Sequence, residues 1–262
     1  MSEDVLARIC GDTRAETSRR SAAVPLAEMR ARAIAASPPR GFHAALERAA
    51  GHRPALIAEI KRASPSGGMI RPAFAPALLA AAYDNGGAAC LSVLTDGPYF
   101  KGSLDDFTLA RAAVTLPVLR KDFILDSWQI YESRAHGADC ILLIAAALTD
   151  AEMAEFEELS GMLGMAVLVE VHDRAELDRA LKLNTRLLGI NNRNLKTLLT
   201  DLSTTGELAR HVPPDRILVA ESGIRTAADV RALMAMGARA LLVGESLLRQ
   251  PDLTAATRAL LA

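Results

Sequence analysis

Short apolar runs of strand length recur along this chain, each followed by a longer amphipathic stretch, which is the alternation expected of βα units around a parallel sheet. Eight such runs can be counted: Ala55–Lys61, Ala88–Leu94, Leu116–Arg120, Asp139–Ile144, Met165–Val171, Arg186–Asn191, Arg216–Glu221 and Arg239–Val243. Eight repeats within this length predict an α/β fold closed on itself, a (β/α)₈ TIM barrel. Helix starts fall where that architecture needs them: Ser103-Leu-Asp-Asp106, Thr149-Asp-Ala-Glu152, Asp173-Arg-Ala-Glu176 and Thr226-Ala-Ala-Asp229 read as capping boxes or their acidic relatives. A doubly wound open sheet is the competing architecture, but no G-x-G-x-x-G follows the first strand.

Residues 1–54 lie outside the repeat. Helical patterns at Val5–Arg20, Pro25–Ala35 and Phe42–Ala50, interrupted by Ser37-Pro38-Pro39, predict an amino-terminal extension packed on the barrel formed by residues 55–262. With 262 residues, half of them hydrophobic, one large α/β domain with a well-filled core is expected rather than two small ones.

Charge and cysteine content narrow the function. Thirty basic and 31 acidic side chains leave a formal net charge of -1, so no global field draws the chain to nucleic acid or anionic lipid, and an anionic ligand needs a local site. Cys10, Cys90 and Cys140 form no C-x-x-C, which argues against a disulfide framework or a zinc site. No apolar leader develops after Ser2, Glu3 and Asp4, and the longest apolar run, Ile141–Leu148, is too short to cross a bilayer. A cytoplasmic protein with no membrane partner is expected. The histidines His43, His52, His136, His172 and His211 show no H-x-H or H-E-x-x-H spacing, so no metal site is predicted; His172, two residues after Glu170, is the one that reaches toward the strand ends.

In a barrel of this kind the chemistry sits where strands run into their loops, and those ends are unusually charged. Glu59 and Lys61 are two apart and share the inward face of the first strand. The third strand ends Leu119-Arg120-Lys121-Asp122, the fifth carries Glu170, the sixth ends Asn191-Asn192-Arg193 and the seventh ends Glu221-Ser222. One such pair would read equally well as a structural ion pair. Isolated buried charges are expensive, however, and two lysines converging with three glutamates are better explained as a catalytic pocket. A protonated lysine can donate to a developing oxyanion, and a glutamate can serve as base.

Phosphate binding is expected at the loops after strands seven and eight, which read Glu221-Ser222-Gly223-Ile224 and Val243-Gly244-Glu245-Ser246. Glycine admits phosphate oxygens close to the backbone, and Ser222 and Ser246 add hydroxyls, although each glycine alone also reads as a turn. The first loop, Ser64-Pro65-Ser66-Gly67-Gly68, can bend over the pocket.

Taken together, these segments resemble the indole-3-glycerol-phosphate synthase family. The resemblance rests on Ile57-Ala-Glu-Ile-Lys-Arg-Ala-Ser-Pro-Ser66, Leu91-Ser-Val-Leu-Thr-Asp96 with Tyr99-Phe-Lys-Gly-Ser103, and Leu116-Pro-Val-Leu-Arg-Lys-Asp-Phe-Ile124. It continues through Gly137-Ala-Asp-Cys-Ile-Leu-Leu-Ile144, Val167-Leu-Val-Glu-Val-His-Asp173, Leu188-Gly-Ile-Asn-Asn-Arg-Asn-Leu195, Ala220-Glu-Ser-Gly-Ile224 and Val243-Gly-Glu-Ser-Leu247.

The resemblance implies closure of 1-(2-carboxyphenylamino)-1-deoxyribulose 5-phosphate to an indole with loss of carbon dioxide and water, in tryptophan biosynthesis, without metal or organic cofactor. It makes Lys121 the general acid, Glu170 the glutamate that moves protons in dehydration, and Lys61, paired with Glu59, the lysine near the substrate carboxylate and departing hydroxyl. Asn191 and Glu221 orient substrate and catalytic groups, with Ser222 beside them. Ser64, Arg193, Gly223, Gly244 and Ser246 fall at phosphate-binding positions, and Phe100 and Phe123 at positions that pack against the anthranilate ring. Many relatives carry a lysine where this chain has Gly67, which bears on closure of the first loop. Association with other tryptophan-pathway enzymes is a further expectation.

Two other readings share the fold. A phosphoribosylanthranilate isomerase would carry a cysteine and an aspartate at the strand ends where Lys61, Lys121 and Glu170 stand. A non-catalytic sugar-phosphate-binding barrel would keep the phosphate loops and lack the lysines or glutamates.

Overall fold

The computed structural model describes residues 5–51, 53–65, 67–194 and 199–262. His52, Ser66 and Leu195 of the motifs above lie outside them. Eight parallel strands form a closed barrel: β1 (Ala55–Ile60), β2 (Cys90–Leu94), β3 (Val118–Lys121), β4 (Cys140–Ile144), β5 (Ala166–Val171), β6 (Leu187–Asn191), β7 (Ile217–Glu221) and β8 (Ala240–Val243). Each strand pairs with its sequence neighbours, and β1 closes on β8 with Ala55 opposite Ala240. The fold expected from the repeat is the fold observed.

Strand starts moved inward by up to two residues for a local reason. Pro117 has no N–H, so β3 begins at Val118 and Pro117 contributes its carbonyl, which accepts from Leu91 N at 2.9 Å. At the other end β3 includes Lys121, whose carbonyl accepts from Thr95 N. The first loop forms a short antiparallel hairpin pairing Ala63–Ser64 with Gly68–Met69.

Alternation of side chains along each strand separates two cores. Leu56, Ala58 and Ile60 of β1 point outward with Leu91 and Val93 of β2 toward the helix ring. Ala55, Ile57, Cys90, Leu119, Cys140, Leu142, Leu168, Ile217 and Leu242 point inward and fill the barrel. All four predicted helix caps form: Ser103 accepts from Asp106 N, Asp173 from Glu176 N, and Thr149 and Thr226 complete reciprocal capping boxes with Glu152 and Asp229.

The extension folds as α1 (Val5–Ala23), α2 (Leu26–Ala35) and α3 (Phe42–Ala50) and spans the height of the barrel. Helix α3 seals the amino-terminal end, because Phe42, Ala45 and Leu46 belong to the same apolar cluster as the inward strand residues. Helix α1 reaches the opposite end: Tyr99 Oη donates to Asp12 Oδ2 at 2.5 Å, and Arg14 Nη1 donates to the Leu125 carbonyl at 3.1 Å. Arg40, between α2 and α3, donates to the carbonyls of Arg111, Val114 and Leu116 and so fixes the turn into β3. Among the described residues no helix is long and apolar enough to cross a membrane.

Candidate active site

The inward positions change character at the carboxyl ends of the strands, from apolar to ionised. Lys121 Nζ stands 2.6 Å from Glu170 Oε2 and 2.9 Å from Glu221 Oε2, so one ammonium from β3 bridges carboxylates from β5 and β7. Both glutamates are almost fully buried, and the lysine side chain is 13% exposed. Lys61, one residue past β1, closes on Glu59 at 2.5 Å. Asn191 of β6 donates through Nδ2 to Glu170 Oε1 at 3.1 Å and accepts the backbone N–H of Arg193 at 3.0 Å. The two lysines, three glutamates and the asparagine singled out in the sequence thus meet at one mouth.

Electrostatics give these groups distinct tasks. Burial alone would lower Lys121, but Glu170, Glu221 and Glu59 outweigh it and raise the ammonium above its ordinary range. Burial is also the largest influence on Glu221, where it and the neighbouring Glu170 charge win over Lys121 and push the carboxyl up to about 7. Glu170 goes the other way: against burial, Lys121 and then His172 hold it well below the usual carboxylate range. One carboxylate is therefore firmly ionised while the other exchanges a proton near neutral pH. Glu221 Oε1 is buried without a hydrogen-bond partner, folded back against Gly189 of the neighbouring strand.

Two glycines make this arrangement fit, and pattern reading of the sequence did not show which carboxylate either one accommodates. A Cβ on Gly189 of β6 would lie 2.3 Å from Glu221 Oε1, and a Cβ on Gly244 after β8 would lie 2.5 Å from Glu59 Oε1. Each glycine is the empty volume into which a neighbouring carboxylate folds. Gly244, expected only to admit phosphate, also houses Glu59. We expect Gly189→Ala to force Glu221 off Lys121, costing about 1–3 kcal/mol of stability as overpacking does and lowering turnover at least tenfold. Denaturant unfolding and a turnover assay check this; an alanine variant with wild-type values would show that the carboxylate has room elsewhere.

The loop after β7 is strained where phosphate binding was expected. Ser222 (φ 65) and Gly223 (φ 81) are consecutive left-handed residues, and a non-glycine residue there costs of order 1–3 kcal/mol. Buried Asn192 holds the strain: its Nδ2 donates to the carbonyls of Glu221 and Ser222 at 3.0 and 3.2 Å, while Oδ1 accepts from the N–H and hydroxyl of Thr205. Asn192 is thus a brace and not a pocket group. Ser246 donates its hydroxyl to the Ile224 carbonyl at 2.7 Å, tying the eighth loop to the seventh, and Ser64 Oγ accepts from Gly67 N. The Ser246 hydroxyl is thus engaged inside the protein, while the Ser64 hydroxyl keeps its proton to donate.

Arg249 supplies a cation beside the loop that lacks the lysine, reaching the Gly67 carbonyl at 3.2 Å and Glu245 Oε1 at 2.8 Å. Phe100 and Phe123 stand side by side with ring centroids 6.4 Å apart and planes tilted by 39°. Arg120 behaves differently from its neighbour Lys121. It points outward, fully buried, and pairs with Asp122 and Glu132 at 2.9 Å each, behind the strand. Among the described residues no cluster of side chains could hold a metal ion. A surface cleft of about 600 Å³ opens at the other end of the barrel beside His43, Glu157 and Arg186 and contains none of the strand-end groups.

Comparison with known proteins separates fold from family. Solved structures with the same architecture include thiamine phosphate pyrophosphorylase from Pyrococcus furiosus (TM-score 0.60, 15% identity, 79% of this chain and 93% of that one). N-acetylmannosamine-6-phosphate 2-epimerase from Clostridium perfringens is another (TM-score 0.56, 16% identity, 73% and 86%). At such identity these share the barrel alone. Full-length sequence agreement is found instead with indole-3-glycerol phosphate synthases from Rhodospirillum rubrum, 60% identical over 98% of this chain and 99% of the relative, and Azospirillum brasilense, 61% identical over 99% of each. The family model for indole-3-glycerol phosphate synthase matches residues 6–260, which takes in the extension as well as every strand. Barrels that merely share this fold do not agree over that length, and the chain belongs to the indole-3-glycerol phosphate synthase family.

Proposed function

We propose that this chain, extension included, acts as one catalytic domain that converts 1-(2-carboxyphenylamino)-1-deoxyribulose 5-phosphate to indole-3-glycerol phosphate, carbon dioxide and water. The observation that carries the residue assignments is the single lysine shared between two buried carboxylates of opposite protonation behaviour. The substrate's phosphate is held by the loops after β7 and β8, with Gly223, Gly244, Ser246, Ser222, Arg193 and Ser64 around it. Phe100 and Phe123 flank the anthranilate ring, whose planar apolar face suits two tilted aromatic neighbours.

In ring closure the anilino ring carbon attacks the ribulose carbonyl and Lys121 gives a proton to the oxygen as charge develops there. Loss of carbon dioxide from the cyclised intermediate restores the aromatic ring. Dehydration then removes the hydroxyl with a proton from Lys61, oriented by Glu59, while Glu170 takes the proton released from carbon; Asn191 holds Glu170 in place. Glu221, poised near neutrality, returns a proton to Lys121 for the next turnover. The work belongs in the cytoplasm beside the other enzymes of tryptophan biosynthesis, with which association is part of this proposal.

The test is direct. Purified protein without added metal is expected to consume the carboxyphenylamino-deoxyribulose phosphate with one carbon dioxide released per indole fluorophore formed. Binding of that compound with no turnover would identify the barrel as a sugar-phosphate binder and overturn the assignment.

A further inference from the structure

His172 stands where β5 runs into its loop, and the reaction above gives it no task. Its side chain is 10% exposed, with Nδ1 2.9 Å from Glu176 Oε2 and Nε2 3.2 Å from Glu170 Oε1. The same Glu176 oxygen accepts the His172 backbone N–H at 2.8 Å. Glu176 is fixed in the first turn of its helix (Arg174–Ala180), where Asp173 accepts its backbone N–H at 2.9 Å. The imidazole is therefore anchored from the helix side and faces the one oxygen of Glu170 that Lys121 does not take.

We propose that His172 is a positioning residue: an imidazolium clamped between Glu176 and Glu170 that fixes the orientation and the ionised state of Glu170 from the side of the β5 loop. The inference rests on the proton-moving role proposed for Glu170. Facing that carboxylate from the packed elements are Lys121 of β3, Asn191 of β6 and the like charge of Glu221 of β7. The turn Ala145–Ala147 after β4 packs against the same strand and helix and brings only alanines. His172 is thus the second cation on Glu170, and it offsets the repulsion from Glu221 that Lys121 must otherwise offset alone.

The contact is electrostatic in kind. Nε2 lies 3.2 Å from Glu170 Oε1 and is buried without a well-directed hydrogen bond, so charge carries most of the attraction that holds the carboxylate in place. Burial by itself would lower the histidine, but Glu170 and Glu176 outweigh it and push the ring up to about 10, so it stays charged through neutral pH. The sign for Glu170 follows. Removing a neighbouring cation raises the pH at which the carboxylate takes up a proton, so the base is lost sooner as pH falls.

Two measurements decide the matter. In the ring-proton NMR spectrum His172 is expected to show no titration below about pH 9, and Glu176→Gln to bring its midpoint down by at least about one unit; a wild-type midpoint near the free-histidine value of about 6.5 would overturn the proposal. In steady-state kinetics His172→Gln is expected to lower kcat about tenfold, leave KM within about twofold and move the acid limb of kcat up by about one pH unit. An acid limb in its wild-type place would refute the clamp. Should that variant not fold, the titrations of wild type and Glu176→Gln still decide. Glu170→Gln keeps the two ideas apart: full activity there removes the role of Glu170 and this inference with it, whereas an inactive Glu170→Gln beside an unshifted His172→Gln profile removes the clamp alone.

Discussion

Lys121→Ala is expected to lower turnover about 10²–10⁴-fold, the usual worth of a general acid, while affinity for a phosphate ligand changes little. The separation follows from position: Lys121 lies on β3 between Glu170 and Glu221, whereas the loops proposed to hold phosphate follow β7 and β8. Carbon dioxide and indole should be delayed together, since the substitution slows the first step. The variant also carries a stability signature. Without the ammonium, Glu170 and Glu221 are like charges in a dry pocket, their protonated forms become favoured, and the loss of stability at neutral pH should shrink as pH falls through the raised carboxyl values. Lys121→Met preserves the stem and should show the same kinetic loss. Near-normal turnover in either variant would remove the assigned acid.

Glu170→Gln is expected to cost about 10²–10³-fold in indole formation by a different route. Glutamine keeps an oxygen for Asn191 and the shape of the side chain, but it loses the ion pair with Lys121 at 2.6 Å and cannot take a proton. With the base proposed to act after carbon dioxide has left, a single-turnover experiment should release about one equivalent of carbon dioxide per site before the indole fluorescence develops. Simultaneous, equally slowed signals would place Glu170 in ring closure instead.

Much of this geometry was legible in the residue pattern. Period-two alternation put Glu59, Lys61, Lys121, Glu170 and Glu221 on inward faces, and parallel strands in register bring all inward strand ends to one mouth, so convergence followed from topology alone. The capping boxes were legible because they are local, decided within four residues. What escaped depends on distances between strands. That Gly189 is the space occupied by Glu221 requires knowing that Asn191 pairs with Glu221 and how far a carboxylate folds back along the sheet. That Asn191 faces the pocket while adjacent Asn192 braces Ser222 was hidden for the same reason: both are amides at a strand end, and the bend after β6 decides between them. The pairing of His172 with Glu176 had a signal, a four-residue spacing across a helix start, that becomes meaningful only once Asp173 is known to be the cap.

The plug formed by α3 bears on the order in which the molecule assembles. Helix α3 precedes every strand in the chain, yet the surface it covers is made of residues from β1 through β8, so the segment synthesised early can complete its burial only after the last strand has docked. Until then Phe42 and Leu46 face water or a partial sheet. Contacts so distant along the chain bring their reward only after the closure entropy has been met, which slows folding and exposes an apolar helix during it. The ring of strands and its stopper are thus finished in one event, and a nascent chain lacking β8 lacks both.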